Sequence, residues 1–375
     1  MKSNKTRRGA LQPLLATLPA ADVPPLQADA LSQAARTALD ALRLEAESAN
    51  TTHSYQSALR YWAAWYWLRY RQAIALPLSA AAVLQFIADH GERVAEDGLA
   101  CDLPASIDAQ LVQAGFKGKT GALAHSTLVH RIAVLSKAHS RKALANPCRD
   151  AEVREALSHL RKAYARRGAL AQKKAALTRL PLEQLLATCD DSLKGRRDRA
   201  LLLFAWASGG RRRSEVAEAR MEWLQPMGPH QYLYDLRLSK TNQSGVDRPE
   251  NLKPVVGPAG VALAQWLQAA GISEGPIFRR IFRNGRVGDT ALTPLSVNNI
   301  VKERCTLAGM EGNFSAHSLR SGFVTEAGRQ NMALVDTMAM TGHQSASTVL
   351  GYFRAEAPLA NKAARLLEDP GTEDQ

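Results

Sequence analysis

Near the C-terminal end of this chain, His317 and Arg320 stand three residues apart, Gly342-His343 follows, and Tyr352 comes nine residues after His343. On a helix, a spacing of three puts His317 and Arg320 on one face, where both can address one ligand. Two imidazoles, a guanidinium and a phenol at helix boundaries are poorly suited to a core. They suit a phosphate, because cationic donors can hold its oxygens. A tyrosine presented opposite such a clamp is a candidate covalent nucleophile.

These residues need elements to hold them. Phe323, Val324 and Ala327, then Leu334, Val335, Met338 and Ala339, give apolar positions at helical spacing that would dock the stretch on a core. Gly342 suits a helix C-cap, which leaves His343 just outside the helix. Ser345 or Ser347 can cap a last short helix bearing Val349, Leu350 and Tyr352. Upstream, Arg196 to Ala207 reads as a buried helix. It ends at Ser208-Gly209-Gly210, followed at once by Arg211-Arg212-Arg213-Ser214-Glu215-Val216. Gln231 to Leu238 alternates like a strand. It runs into the turn-rich Ser239 to Gly245 and returns through Lys253-Pro254-Val255-Val256, a hairpin with Lys240 near its tip. Helices are expected at 260–270 and 294–308.

His-x-x-Arg, then Gly-His, then Tyr nine residues on resembles the second box of the tyrosine recombinases, the phage integrase family. Gly-Arg-Arg-Arg-Ser-Glu resembles that family's first box, Thr-Gly-x-Arg-x-Ser-Glu. Aligned on Ser214-Glu215, the resemblance makes Arg212 the catalytic arginine, with Glu215 behind it. Gly209 stands where threonine is usual, and Arg211 and Arg213 flank the assignment. The resemblance implies a further lysine in a β-hairpin; Lys240 matches, and Lys253 on the return strand is the second candidate. It therefore implies six catalytic positions: Arg212, Lys240, His317, Arg320, His343 and Tyr352. Their implied roles are phosphate contacts from Arg212, Arg320 and His343, general base for His317, general acid for Lys240 and nucleophile for Tyr352. Thr341, where leucine is usual, and Phe353-Arg354, in place of Thr-His after the tyrosine, depart from the pattern.

The rest of the chain agrees with a nucleic-acid enzyme. Its 375 residues suggest about two domains. A net charge of +13 and a pI near 9.8 point to a polyanionic partner. Between His125 and Leu180, thirteen Lys or Arg face three Asp or Glu. Such a surface releases counterions when it meets phosphates. Arg166, Arg167, Lys173 and Lys174 fall in a stretch without an apolar stripe that reads as a linker, and they are candidate DNA contacts. Cys101, Cys148, Cys189 and Cys305 form no C-x-x-C pair, so neither a disulfide framework nor a zinc site is indicated. The longest apolar run, Ala200 to Ala207, is far too short for a membrane span. No Asp/Glu cluster accompanies the candidate residues, which disfavours metal-assisted hydrolysis; no cofactor is expected.

Four segments follow. Residues 1–48 form a tail, partly helical or flexible, with Leu31, Ala35, Leu39 and Leu42 able to form one amphipathic helix. Residues 49–165 form a helical DNA-binding domain. There Tyr55, Leu59, Trp62 and Tyr66 recur at helical spacing, helices span 80–90 and 125–140, and 91–121 reads as loop with a short helix. A basic linker covers 166–177. A catalytic domain covers 178–375 and ends in a helix over 358–367 that docks on its own lobe or on a neighbour. The expected fold is mainly α with a small antiparallel sheet in the catalytic lobe, a two-domain clamp on DNA. The expected function is site-specific recombination through a 3′-phosphotyrosyl link, on double-stranded DNA with inverted-repeat sites. A homotetramer on DNA in the cytoplasm is the expected setting. The alternatives are type IB topoisomerase-like strand passage and a DNA-binding regulator without catalysis.

Overall fold

A computed structural model describes residues 27, 30–96, 98–170, 174–237 and 251–353. The chain divides into two compact units, Met1–Ala171 and Gln172–Gln375. Each is mainly helical with small antiparallel sheets.

In the first unit, α1 (Gln33–Ala46) leads into α2 (Ala49–Tyr70) and α3 (Ala80–His90). The strands β1 (Arg93–Ala95) and β2 (Gly98–Ala100) follow, then α4 (Ala105–Gln113), α5 (His125–Arg141) and α6 (Ala151–Arg166). Ser48 and Ser79 cap α2 and α3 by accepting from Thr51 N and Ala82 N, as N-cap serines do. The stripe that α2 buries is Ala58, Tyr61, Trp62 and Trp65, at spacings of three and four. This corrects the expected stripe, since Leu59 is exposed. The choice is set by partners. Trp62 stacks on Phe86 at 3.7 Å, the Trp65 indole N–H donates to Asp89 at 2.8 Å, and Tyr61 lies 2.8 Å from His90 Nε2. The loop expected at 91–121 also holds the β1–β2 hairpin. The amphipathic helix forms as α1, but it starts after Leu31, and Leu31, Leu39 and Leu42 are exposed.

His90 ties this core together. Its Nδ1 lies 2.8 Å from the Phe86 carbonyl, so Nδ1–H donates there and Nε2 accepts from the Tyr61 hydroxyl. Burial pushes the imidazole from 6.5 down to about 3. As pH falls, the unfolded chain therefore takes up this proton first. The contribution of His90 is complete above about pH 6.5 and is lost progressively toward pH 3. In denaturant unfolding of the full chain, the stability lost between neutral pH and pH ~5 should shrink in His90→Gln. An equal loss in both proteins would mean that other groups carry the acid sensitivity.

The second unit begins with α7 (Arg179–Ala187), α8 (Leu193–Ala207) and the short α9 (Arg213–Ala217). The strands β3 (Leu224–Gly228), β4 (Gln231–Asp235) and β5 (Leu252–Val255) form one antiparallel sheet in that order. Next come α10 (Pro258–Ala270), the β6 (Arg279–Ile281) and β7 (Val287–Ala291) hairpin, and α11 (Pro294–Leu307). The last described elements of the unit are α12 (Ala316–Arg329), α13 (Leu334–Thr341) and α14 (Ala346–Phe353). The expected hairpin pairs as β4 with β5, Tyr234 opposite Lys253, and its tip, with Lys240, lies outside the described residues. So does the expected helix at 358–367. The added strand β3 and the second hairpin were not expected from alternation, because each is short and half exposed.

Two buried devices fix the helices that carry the site. Asp198 on α8 accepts from Arg197 and from Arg304 on α11, the latter through Nη2 at 2.7 Å. Because each charge is hydrogen-bonded to its partner, the desolvation cost is offset. Leu177, fully buried, donates from its N–H to Ser318 O at 2.9 Å and accepts from the Trp206 indole at 3.0 Å. One extended segment thus ties the end of α8 to the start of α12.

Candidate active site

The site is built on the turn that ends α8. Gly209 and Gly210 have φ of +97° and +69°, in the left-handed region. Space demands glycine as well. A Cβ at Gly209 would lie 2.2 Å from Met340 O, and one at Gly210 would lie 2.5 Å from Arg320 Cα. The turn therefore lets two other elements, α12 and the end of α13, approach its backbone.

From this turn the three arginines diverge. Arg212 stands at the N-cap of α9. Its N–H donates to Glu215 Oε2 at 3.0 Å and its Nη1 to Glu215 Oε1 at 2.6 Å. Burial alone would raise the Glu215 carboxyl, but Arg211 and Arg212 outweigh it and hold it below the ordinary range. Arg213 is exposed. Arg211 is not part of a surface charge run: it is 2% exposed, and its Nη2 donates to Gly209 O at 3.1 Å and Met340 O at 2.6 Å.

Arg320 on α12 is also buried. Its Nη1 donates to Gly210 O at 3.1 Å, and its Nη2 to Thr341 O at 2.7 Å. Desolvation, with Arg212 and Arg211 beside it, brings it down to about 9, so it stays charged at neutral pH. Lys253 on β5 is buried and donates to Ala339 O at 2.5 Å. Three cations from three elements thus meet three successive carbonyls, of Ala339, Met340 and Thr341, at the end of α13. A helix C-terminus carries unsatisfied carbonyls and partial negative charge, so cations there are favoured.

Arg211→Met should therefore destabilise the protein, because it removes a buried charge from its bonds and leaves Glu215 with one fewer partner. Loss of one partner from a buried pair costs about 3–5 kcal/mol. Denaturant unfolding would show it; a loss below ~0.5 kcal/mol, the size of an ordinary surface substitution, would place Arg211 in solvent.

Gly342, at φ +68°, ends α13 with its N–H on Met338 O at 2.8 Å. His343 follows immediately. Its Nδ1 lies 2.7 Å from Thr341 Oγ1 and its Nε2 3.2 Å from Arg320 Nη2. Desolvation, then Arg320, Arg212, Arg211 and His317, push it down to about 4. His317, in the first turn of α12, is likewise lowered, by desolvation and then by Arg320 and Arg212. Both imidazoles are neutral at neutral pH. Tyr352 is half-buried on α14, which packs on α12, and lies within electrostatic reach of Arg320.

Arg212, His317, Arg320, His343 and Tyr352 are thus brought to one place. Lys240 cannot be located among the described residues. Of the expected DNA contacts, Arg166 is exposed at the end of α6. Arg167 instead donates to Glu92 O at 2.9 Å and covers the Tyr164 ring, and Lys174 donates to Asn313 Oδ1. Lys173 lies outside the described residues. On α13 the expected stripe is corrected too: Val335 and Ala339 are exposed, and the buried positions are Thr337 and Thr341. Their hydroxyls satisfy themselves on the preceding turn, Thr337 on Ala333 O at 3.1 Å and Thr341 on Thr337 O at 2.8 Å. Arg211, Lys253 and Thr341 are the residues around the site whose placement the sequence did not reveal. The one signal was the departure from the family pattern at 341.

Residues 176–358 match the family model of the phage integrase family. Over 296 residues, 76% of this chain and 76% of the relative, the sequence is 30% identical to an integrase/recombinase xerD homolog of Selenomonas ruminantium. The Tn1549 transposon integrase, solved in complex with transposon right end DNA, shares the fold with a TM-score of 0.54 at 13% identity, over 86% of this chain and 94% of that one. The same integrase in complex with a circular intermediate DNA gives 0.52 at 12% identity, over 86% and 94%. With both boxes in place and this similarity across three quarters of its length, the chain belongs to the phage integrase family and is a tyrosine-type site-specific DNA recombinase.

Proposed function

We propose that this recombinase breaks and rejoins one strand of duplex DNA at a time with Tyr352 as nucleophile, and that Arg212, Arg320, His317, His343 and Lys240 carry the rest of the chemistry. The observation that carries this reading is electrostatic. Arg211, Arg212 and Arg320 converge on one small volume with Glu215 as a carboxylate that offsets them, and each lowers the protonation of its neighbours. A cluster in which cations repel one another is completed by an anion, and a phosphodiester supplies it.

The steps follow from the chemistry of phosphoryl transfer. Charge grows on the nonbridging oxygens as Tyr352 Oη attacks phosphorus, and Arg212 and Arg320 neutralise it. The phenol must lose its proton as the P–O bond forms. His317, neutral at neutral pH, is the acceptor. The P–O5′ bond breaks, and Lys240 gives the departing oxygen a proton. The product, a 3′-phosphotyrosyl ester with a free 5′-hydroxyl, keeps the energy of the broken bond. Attack by the 5′-hydroxyl of a partner strand reverses every step. Inverted-repeat sites and a tetramer on DNA are the assembly that such an exchange of two strand pairs requires.

The test is a duplex nicked just 3′ of the scissile phosphate, from which the short 5′-hydroxyl fragment diffuses away. An adduct that resists denaturation should accumulate. Noncovalent binding alone would leave the enzyme a DNA-binding protein. The role of Lys240 is tested by the leaving group. Lys240→Ala should cleave slowly on ordinary DNA and recover on a 5′-bridging phosphorothiolate, whose sulfur leaves without a proton. Equal failure on both substrates would move the acid to another residue.

A further inference from the structure

We propose that Thr341 is a positioning residue for His343, fixing the imidazole with its proton on Nδ1 and its Nε2 lone pair on Arg320. The proposal deepens the functional reading above and rests on it for the role of Arg320; in the DNA-free protein this tautomer makes His343 a support for Arg320 and leaves it no N–H for a phosphate.

The bond directions assign the tautomer. The Thr341 hydroxyl has one hydrogen, and its Oγ1 lies 2.8 Å from Thr337 O and 3.4 Å from Met338 O. Both are carbonyls, which only accept, so the hydroxyl hydrogen is committed to the helix backbone. Toward His343 Nδ1, at 2.7 Å, Thr341 Oγ1 can then only accept, and Nδ1 must carry the proton. On the other side of the ring, Nε2 faces Arg320 Nη2 at 3.2 Å. A guanidinium only donates, so a neutral imidazole must accept there. The two contacts require the same tautomer. A chain of donors runs from Arg320 through His343 and Thr341 to the backbone of α13.

The consequence falls on Arg320. Its Nη2 is shared between Thr341 O and His343 Nε2, and its Nη1 is anchored on Gly210 O. Thr341 therefore holds Arg320 from two directions, through its carbonyl directly and through its hydroxyl by way of His343. Thr341 is 1% exposed, so water does not replace its hydroxyl. With an apolar side chain at 341, the Nδ1 proton would lose its acceptor. The opposite tautomer would set an N–H of His343 against an N–H of Arg320, and the ring would have to turn away. Partners that fix metal-ligating histidines through the other ring nitrogen matter by about 10- to 100-fold in activity, and a loss of the same order is expected here.

Two measurements on full-length protein test this. In free, histidine-15N-labelled wild type near neutral pH, the His343 signals, assigned by their absence in His343→Gln, should show a protonated Nδ1 and an unprotonated Nε2. Thr341→Val, which keeps the shape and removes the hydroxyl, should lose this pattern, and Thr341→Ser should keep it. On the nicked duplex, Thr341→Val should form adduct about 10- to 100-fold more slowly with DNA affinity unchanged, and Thr341→Ser should stay within a few-fold of wild type. A wild-type His343 protonated on Nε2 overturns the proposal, as does Thr341→Val cleaving at the wild-type rate. If Thr341→Val fails to fold, the wild-type and Thr341→Ser spectra still decide the tautomer. A wild type that forms no adduct on any duplex contradicts the functional reading instead, and the spectra still decide whether Thr341 sets the tautomer.

Discussion

Tyr352→Phe should form no covalent adduct with DNA and should bind the same duplex with wild-type affinity. The expectation is this sharp because the substitution removes one oxygen from a half-buried ring on α14 and nothing else. Packing of α14 rests on Val349, fully buried, which the change leaves alone. The phosphate contacts proposed for Arg212 and Arg320 are also untouched, so affinity should persist. Loss should be complete rather than partial: without a phenol there is no phosphotyrosyl bond to form. Gel separation of adduct after denaturation reads the first part, and a binding titration reads the second. Adduct at normal yield in this variant would place the nucleophile elsewhere.

The second large effect concerns the clamp. Arg212→Ala and Arg320→Ala should each slow adduct formation by roughly 10²–10³-fold, the loss of ~3–4 kcal/mol expected when one transition-state donor is removed. The two variants should differ in stability. Arg320 holds Gly210 O and Thr341 O from a buried position, so its removal also loosens the turn against α13. Arg212 is only partly buried, and the buried Glu215 it bonds keeps Arg211 as a second partner, so Arg212→Ala should report on chemistry with a smaller loss of stability. Arg213→Ala, on an exposed side chain, is the control and should cleave at close to the wild-type rate. Single-turnover kinetics on the nicked duplex separate the three. A dead Arg213→Ala beside a mild Arg212→Ala would show that the first box is aligned in the wrong register.

Much of this site could be read from residue types and spacing, for a physical reason. His317 and Arg320 sit on one turn of α12, His343 follows a glycine C-cap, and Tyr352 sits on a short helix of its own. Each of these is local geometry that spacing encodes. The helices at 80–90, 125–141, 258–270 and 294–307 were legible from the same periodicity. What spacing does not encode is which face meets which neighbour. Leu59 and Tyr61 are both apolar and two residues apart, and only the positions of Phe86 and His90 decide that Tyr61 goes inside. Arg211 has the composition of a solvated charge run. It is buried because the end of α13 presents the Met340 carbonyl to it, a contact across 129 positions. Lys253 is drawn in by the neighbouring carbonyl of Ala339 in the same way. Val335 and Ala339, expected on the core side of α13, are exposed, and Thr337 is buried in their place. A threonine that satisfies its own hydroxyl on the preceding turn costs little to bury. The short strands β3, β6 and β7 escape a period-2 reading because five residues or fewer give too few alternations to count.

Tyr352 should become joined to the 3′-phosphate of a cleaved strand, and the chain offers a clean way to test this. Trypsin should release Gln330 to Arg354 as one peptide, in which Tyr352 is the single tyrosine. Wild-type protein trapped on a nicked duplex, digested with trypsin and nuclease and fragmented by mass spectrometry, should carry the nucleotide on Tyr352 in that peptide. The released strand should end in a 5′-hydroxyl. A nucleotide on any other residue, or linkage through the 5′-phosphate, would contradict the account.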